Sequence, residues 1–163
     1  MKNEVILMKR IVGLLIAVCL LFSCAFANNF YEARVFFDTM AESFGLDDLP
    51  EEYETTDKTS YEMRAFLVPP SMRVVFFCEG ETVTGGTVIC YSESAYLDFL
   101  ALSSCMAYAV LEKPSYSVMG NMMWQFFDVR SGKEPYPGAA GDYIYEMHRL
   151  NENAINFLIM KEE

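Results

Sequence analysis

The sequence predicts an α+β fold: a mainly antiparallel, five-stranded sheet with helices packed over one face. Three observations predict it. Strand-like runs come in groups joined by short turns, and helical runs come in a group between them, an order unlike the regular strand–helix alternation of a doubly wound parallel sheet. The composition, 53% hydrophobic with 15% aromatic, is too apolar for a disordered chain. A length of 163 residues fits one domain.

The first segment reads as an address. Lys9 and Arg10 precede an unbroken apolar run, Ile11 to Phe22, and Ala25-Phe26-Ala27 puts small residues at the −3 and −1 positions of a cut after Ala27. This is the layout of a secretory signal peptide, and the run is shorter than the ~20 residues a spanning helix needs. Met8-Lys9-Arg10 makes a cleaner start than Met1-Lys2-Asn3-Glu4, because Glu4 weakens the basic region, so Met8 is an alternative start. Leu21-Phe22-Ser23-Cys24 resembles the box that directs bacterial lipoprotein processing, in which Cys24 would be lipidated as the new first residue. Phe22 is bulkier than that box usually carries, and the cut after Ala27 is the preferred reading.

The expected domain is residues 28–163. It opens with a helix over Phe30 to Phe44, where Phe30, Ala33, Phe37, Met40 and Phe44 recur at three- and four-residue steps and Gly45 marks the stop. Residues 46–60 form an acidic loop with Asp47, Asp48, Glu51, Glu52, Glu54 and Asp57 and the single base Lys58. Its spacing lacks the central glycine of an EF-hand, so it is read as solvated rather than calcium-binding.

Three strands follow, over Tyr61–Val68, Met72–Glu79 and Thr82–Tyr91. The first alternates, as a half-buried strand does; the second, with Val74 to Cys78 apolar throughout, belongs at the centre. Gly85-Gly86 predicts a bulge or a shifted turn in the third. Ser94–Leu111 is a helix with almost no polar face, hence one buried on most sides. Ser115–Val129 is the third helix, with Tyr116, Met119, Met122, Met123 and Phe126 placed on one broad face. Asp142–Leu150 and Ala154–Lys161 are two last strands joined through Asn151-Glu152-Asn153. The element order resembles that of small secretion-chaperone-like and other interaction folds. Element order carries little functional weight.

Charge and chemistry exclude more than they assign. The chain holds 23 acids against 12 bases, a formal charge of −11. Loss of Lys2, Glu4, Lys9 and Arg10 with a leader leaves 22 acids and 9 bases, a charge of −13. Such a surface repels polynucleotides and anionic lipids, so nucleic acid is not an expected partner. His148 is the sole histidine, which removes most triad and metal chemistry. It shares a strand face with Ile144 and Glu146, and a base of this kind would need Cys105 or Cys90 as its nucleophile. Cys105 lies in an apolar helix with no flanking charge to lower its pKa. Cys78, Cys90 and Cys105 follow the leader, an odd number; Cys78 and Cys90 sit on neighbouring strands and are the candidate disulfide pair. No C-x-x-C occurs, and the glycines of Gly80–Thr87 lack the lysine of a phosphate loop.

Met119, Met122, Met123 and Trp124 are the candidate binding cluster, because methionines adapt to varied apolar partners. The expected function is an exported, non-enzymatic domain that binds another protein or an apolar ligand, without a cofactor or metal. The alternatives are a small extracytoplasmic hydrolase and a surface protein tethered through Cys24, the membrane being reached only by that lipid or by the leader.

Overall fold

The computed structural model describes residues 29–111 and 114–162. The expected leader, the alternative start at Met8, Cys24 and both cleavage sites lie outside the described residues. Helix α1 spans Phe30–Ser43. Four strands follow: β1 (Glu54–Asp57), β2 (Glu62–Val68), β3 (Met72–Glu79) and β4 (Thr82–Cys90). A short 3₁₀ turn leads into α2 (Tyr96–Val110), then α3 (Tyr116–Arg130). The chain ends in β5 (Gly138–Ala140), β6 (Tyr143–Asn151) and β7 (Ala154–Lys161). All strands join one antiparallel sheet in the order β1-β2-β3-β4-β7-β6-β5.

The α+β class and the antiparallel sheet agree with the sequence; the strand number does not. The described residues form seven strands rather than five. The two additions lie at the sheet's edges, β1 inside the segment expected to be an acidic loop and β5 between the third helix and the last two expected strands. Neither buries an apolar face: all four β1 residues are exposed, and β5 is Gly-Ala-Ala. They are strands because β2 and β6 offer them backbone donors and acceptors, a long-range cause with no local periodicity.

Period-two alternation sorts the sheet into two faces. Phe66, Val74, Val88, Phe157 and Met147 sit opposite one another across five strands and are all buried. This face meets the helices. Phe37 of α1 is fully buried, with edge-on ring contacts to Phe66 at 6.0 Å and Phe76 at 5.5 Å. Helix α2 lies over β4, and Gly86 makes that approach feasible: a Cβ there would stand 2.4 Å from the Met106 Sδ. The expected irregularity at Gly85-Gly86 is present as a register shift, Phe77 facing Gly85 while Cys78 faces Val83.

Helix ends are built locally. The Asn29 side chain caps α1 by accepting from the Tyr31 amide at 2.9 Å. Gly45, at φ +82°, ends it, and the Leu46 amide reaches back to the Ala41 carbonyl. The buried Arg34 lies 3.9 Å over the Phe66 ring, pairs with Asp38 and donates to the Pro50 carbonyl. That contact ties down the acidic segment after α1.

Candidate functional site

Helix α3 carries the candidate site. Ser115 caps it, accepting from the Val118 amide at 3.3 Å, and Gly132 (φ +77°) follows its end. One stripe, Val118, Met122, Gln125, Phe126 and Val129, is buried. The opposite stripe reads Tyr116, Gly120, Met123, Trp124 and Phe127, at the spacing of one helix face. Every one of these is exposed: Tyr116 to 87%, Trp124 to 71%, Phe127 to 49% and Met123 to 42%, with Gly120 open between them. The Trp124 and Phe127 rings stand 6.4 Å apart, edge to face. Isolated exposed apolar side chains are ordinary, whereas a continuous stripe of large ones is a candidate contact surface.

The structure divides the cluster expected from the sequence. Met123 and Trp124 are on the outer face. Met122 is 1% exposed and points into the core, so it leaves the candidate face. Met119 is half-buried and packs against the core from the flank. Tyr116, Gly120 and Phe127 complete the face and were not among the expected residues. The reason is Gln125. A polar residue in an apolar helix normally marks the wet side, but Gln125 is buried, its Nε2 donating to the Tyr136 carbonyl and to the Asn121 Oδ1, both at 2.9 Å. It ties the loop after α3 to the helix, and Trp124 and Phe127 lie on the side away from it.

His148 and Glu146 lie on the sheet face that the helices leave open, with Nε2 and Oε1 2.8 Å apart. Cys90 alternates onto the other face, beside Met72 and Ile155, and Cys78 lies on that same face beside Val83. Cys105 is fully buried in α2. The sheet therefore separates the imidazole from every described thiol, and burial raises all three: Cys78 is pushed up to about 11, and Cys90 and Cys105 also rise. A thiol held so high is not a nucleophile at neutral pH.

Cys78 and Cys90 are free. Cys90 pairs with Met72 and Cys78 with Val83, so the two lie near opposite ends of the β3–β4 hairpin. The six residues from Met72 to Cys78 span roughly 20 Å at the rise of a strand. A disulfide needs Cα atoms within about 7 Å, so the candidate pairing is corrected.

The other motifs dissolve into the fold. Gly80–Thr87 is a turn and strand β4. At the end of α3, in Arg130-Ser131-Gly132-Lys133, Lys133 lies 3.6 Å from Asp128 and Arg130 lies over the Tyr96 and Phe126 rings. Among the described residues no three His, Cys, Asp or Glu side chains converge as metal ligands. A cavity of about 560 Å³ opens between the α2–α3 link and the β5–β6 turn, near Leu111, Val118, Ala140 and Tyr143. Among the described residues that line it, Asp142 is the one carboxylate. No family model, curated protein or solved structure matches the chain.

Proposed function

We propose that this protein is an exported, non-enzymatic binding domain that engages another protein through the outer face of α3. The observation that carries the reading is Trp124, 71% exposed within a stripe that also presents Tyr116, Met123 and Phe127. Aromatic side chains and methionine are the residues protein interfaces favour. The face is a convex helix surface, and small-molecule sites are concave, so a protein suits it better than an apolar ligand. Export rests on the patterning of residues 9–27 alone.

Two experiments test the proposal. A photo-crosslinking amino acid replaces Trp124 or, as an exposed control, Tyr136 in the producing cell. The expected result is one discrete adduct from position 124 and none from position 136. Equal labelling from both, or none from either, would overturn the binding face. The intact mass of the recovered protein tests export: a chain starting at Asn28 is expected, a lipid-modified Cys24 would make it a tethered surface protein, and an uncut leader would refute cleavage.

A further inference from the structure

We propose, resting on the reading of α3 as a contact face, that its occupant is a second copy of this chain. The two α3 helices pair antiparallel about a two-fold axis between Met123 and Trp124. That symmetry sets Phe127 of one copy over Gly120 of the other, Trp124 against Met123, and Tyr116 against Ser131.

Gly120 is the first reason. A glycine inside a helix costs about 1 kcal/mol relative to alanine. Nothing in the fold requires this one: its backbone is helical, and a Cβ there would meet nothing within 4 Å. The gap opens outward, at the middle of the exposed stripe. Phe127 lies seven residues away, two helical turns, on the same face. A two-fold axis midway between them brings each aromatic ring over the partner's gap. Trp124 and Met123 then meet at the axis, a sulfur–aromatic contact.

Charge is the second reason. The chain as a whole carries −11, so most surfaces of two copies repel. Residues 114–133 hold only Asp128 against Arg130 and Lys133. This is the approach that brings no excess of acid together, whereas a strongly basic partner would find no acidic rim around it. Area is the third. Aromatic side chains of 150–250 Å² each, at these exposures, give roughly 500 Å² per copy, against about 800 Å² per partner in a standard stable interface. The pair is accordingly a weak, reversible dimer of the common self-complementary kind.

Sedimentation and Trp124 emission of the protein recovered from its producing cell, between about 5 and 500 μM, test the pairing in the affinity range of a small interface. The expected result is a monomer–dimer equilibrium with a blue shift of emission as dimer forms. Gly120→Leu is the decisive variant. It makes the stripe more apolar and the helix stronger, yet fills the seat of Phe127, so dimer affinity should fall at least about tenfold. Trp124→Ser should weaken it as well, and guards against a Gly120→Leu chain that fails to fold. A dimer indifferent to both variants would overturn the proposal, since another surface would then hold it. A monomer at every concentration would also overturn it. In that case an adduct from position 124 to a different protein, or to residues 11–22 of this chain, keeps the contact face while refuting self-pairing; no adduct refutes both.

Discussion

Arg64 shows how a charge is kept inside this fold. It is 8% exposed, with its guanidinium 4.4 Å above the Phe30 ring. Glu62 and Glu81 pair with it, and the Gly80 carbonyl accepts from Nη2 at 3.3 Å. The Arg64 hydrogen bonds hold the Glu81 carboxyl below the usual value of 4.5. A carboxylate depressed in the folded state contributes stability that is present above its unfolded pKa and lost as pH falls through its folded one. Glu81→Gln should therefore flatten the acid limb of stability below about pH 4.5 while leaving a smaller change in shape near pH 7, read from urea midpoints across pH. The thiols make a second residue-scale prediction. Cys78, Cys90 and Cys105 are all fully buried with raised pKa values. None of the three should react with a disulfide reagent in the native protein at neutral pH, and all three should do so in denaturant, as peptide mapping would show.

At the scale of elements, the contact of α2 with β4 turns on one missing side chain. A Cβ at Gly86 would stand 2.4 Å from the Met106 Sδ and 2.8 Å from the Val75 carbonyl oxygen, and the second of these is backbone that cannot swing away. Gly86→Ala should cost about 1–3 kcal/mol in urea unfolding, the range for overpacking a core. The sheet should also open unevenly. Strands β3 and β4 are central and largely buried, whereas β1 and β5 are short edges. Amide exchange should be slowest in β3 and β4 and fast in β1 and β5. The same contrast explains which elements were legible. The α1 stripe is a local pattern and reads correctly. The β2 alternation marks a strand but not its core face: Tyr61, Met63, Ala65 and Leu67 form the expected apolar side, yet Arg64, Phe66 and Val68 are buried against the helices and Leu67 is 64% exposed. The β1 and β5 strands have no such pattern, since pairing with a neighbour created them. In α3 large apolar side chains lie on both sides, so periodicity alone does not choose the outer face; the structure buries Val118, Met122, Phe126 and Val129 together with Gln125, whose Nε2 donates to the Tyr136 carbonyl.

At the scale of the molecule, the outer side of α3 and the open sheet face both present large apolar side chains, Leu67 and Met160 on the sheet being 64% and 45% exposed. The sheet face is studded with Arg73, Glu146 and His148, whereas the α3 stripe holds no charge. Long-range repulsion between acidic copies opposes the pairing proposed for α3. Raising salt from about 0.02 to 0.5 M shortens the screening length below 10 Å and should strengthen that dimer, the reverse of an ion-paired interface, as sedimentation would show. By itself the sequence determined the α+β class, three helices and five of the seven strands, because these follow from composition and from side-chain periods along the chain. Only the tertiary structure decided that His148 and the thiols stand on opposite faces of the sheet, that Cys78 and Cys90 are out of reach of one another, and that Trp124 and Phe127 face outward while Met122 does not. Those outcomes depend on strand register and on which side of a helix the core accepts, and both are set by residues far apart in the sequence.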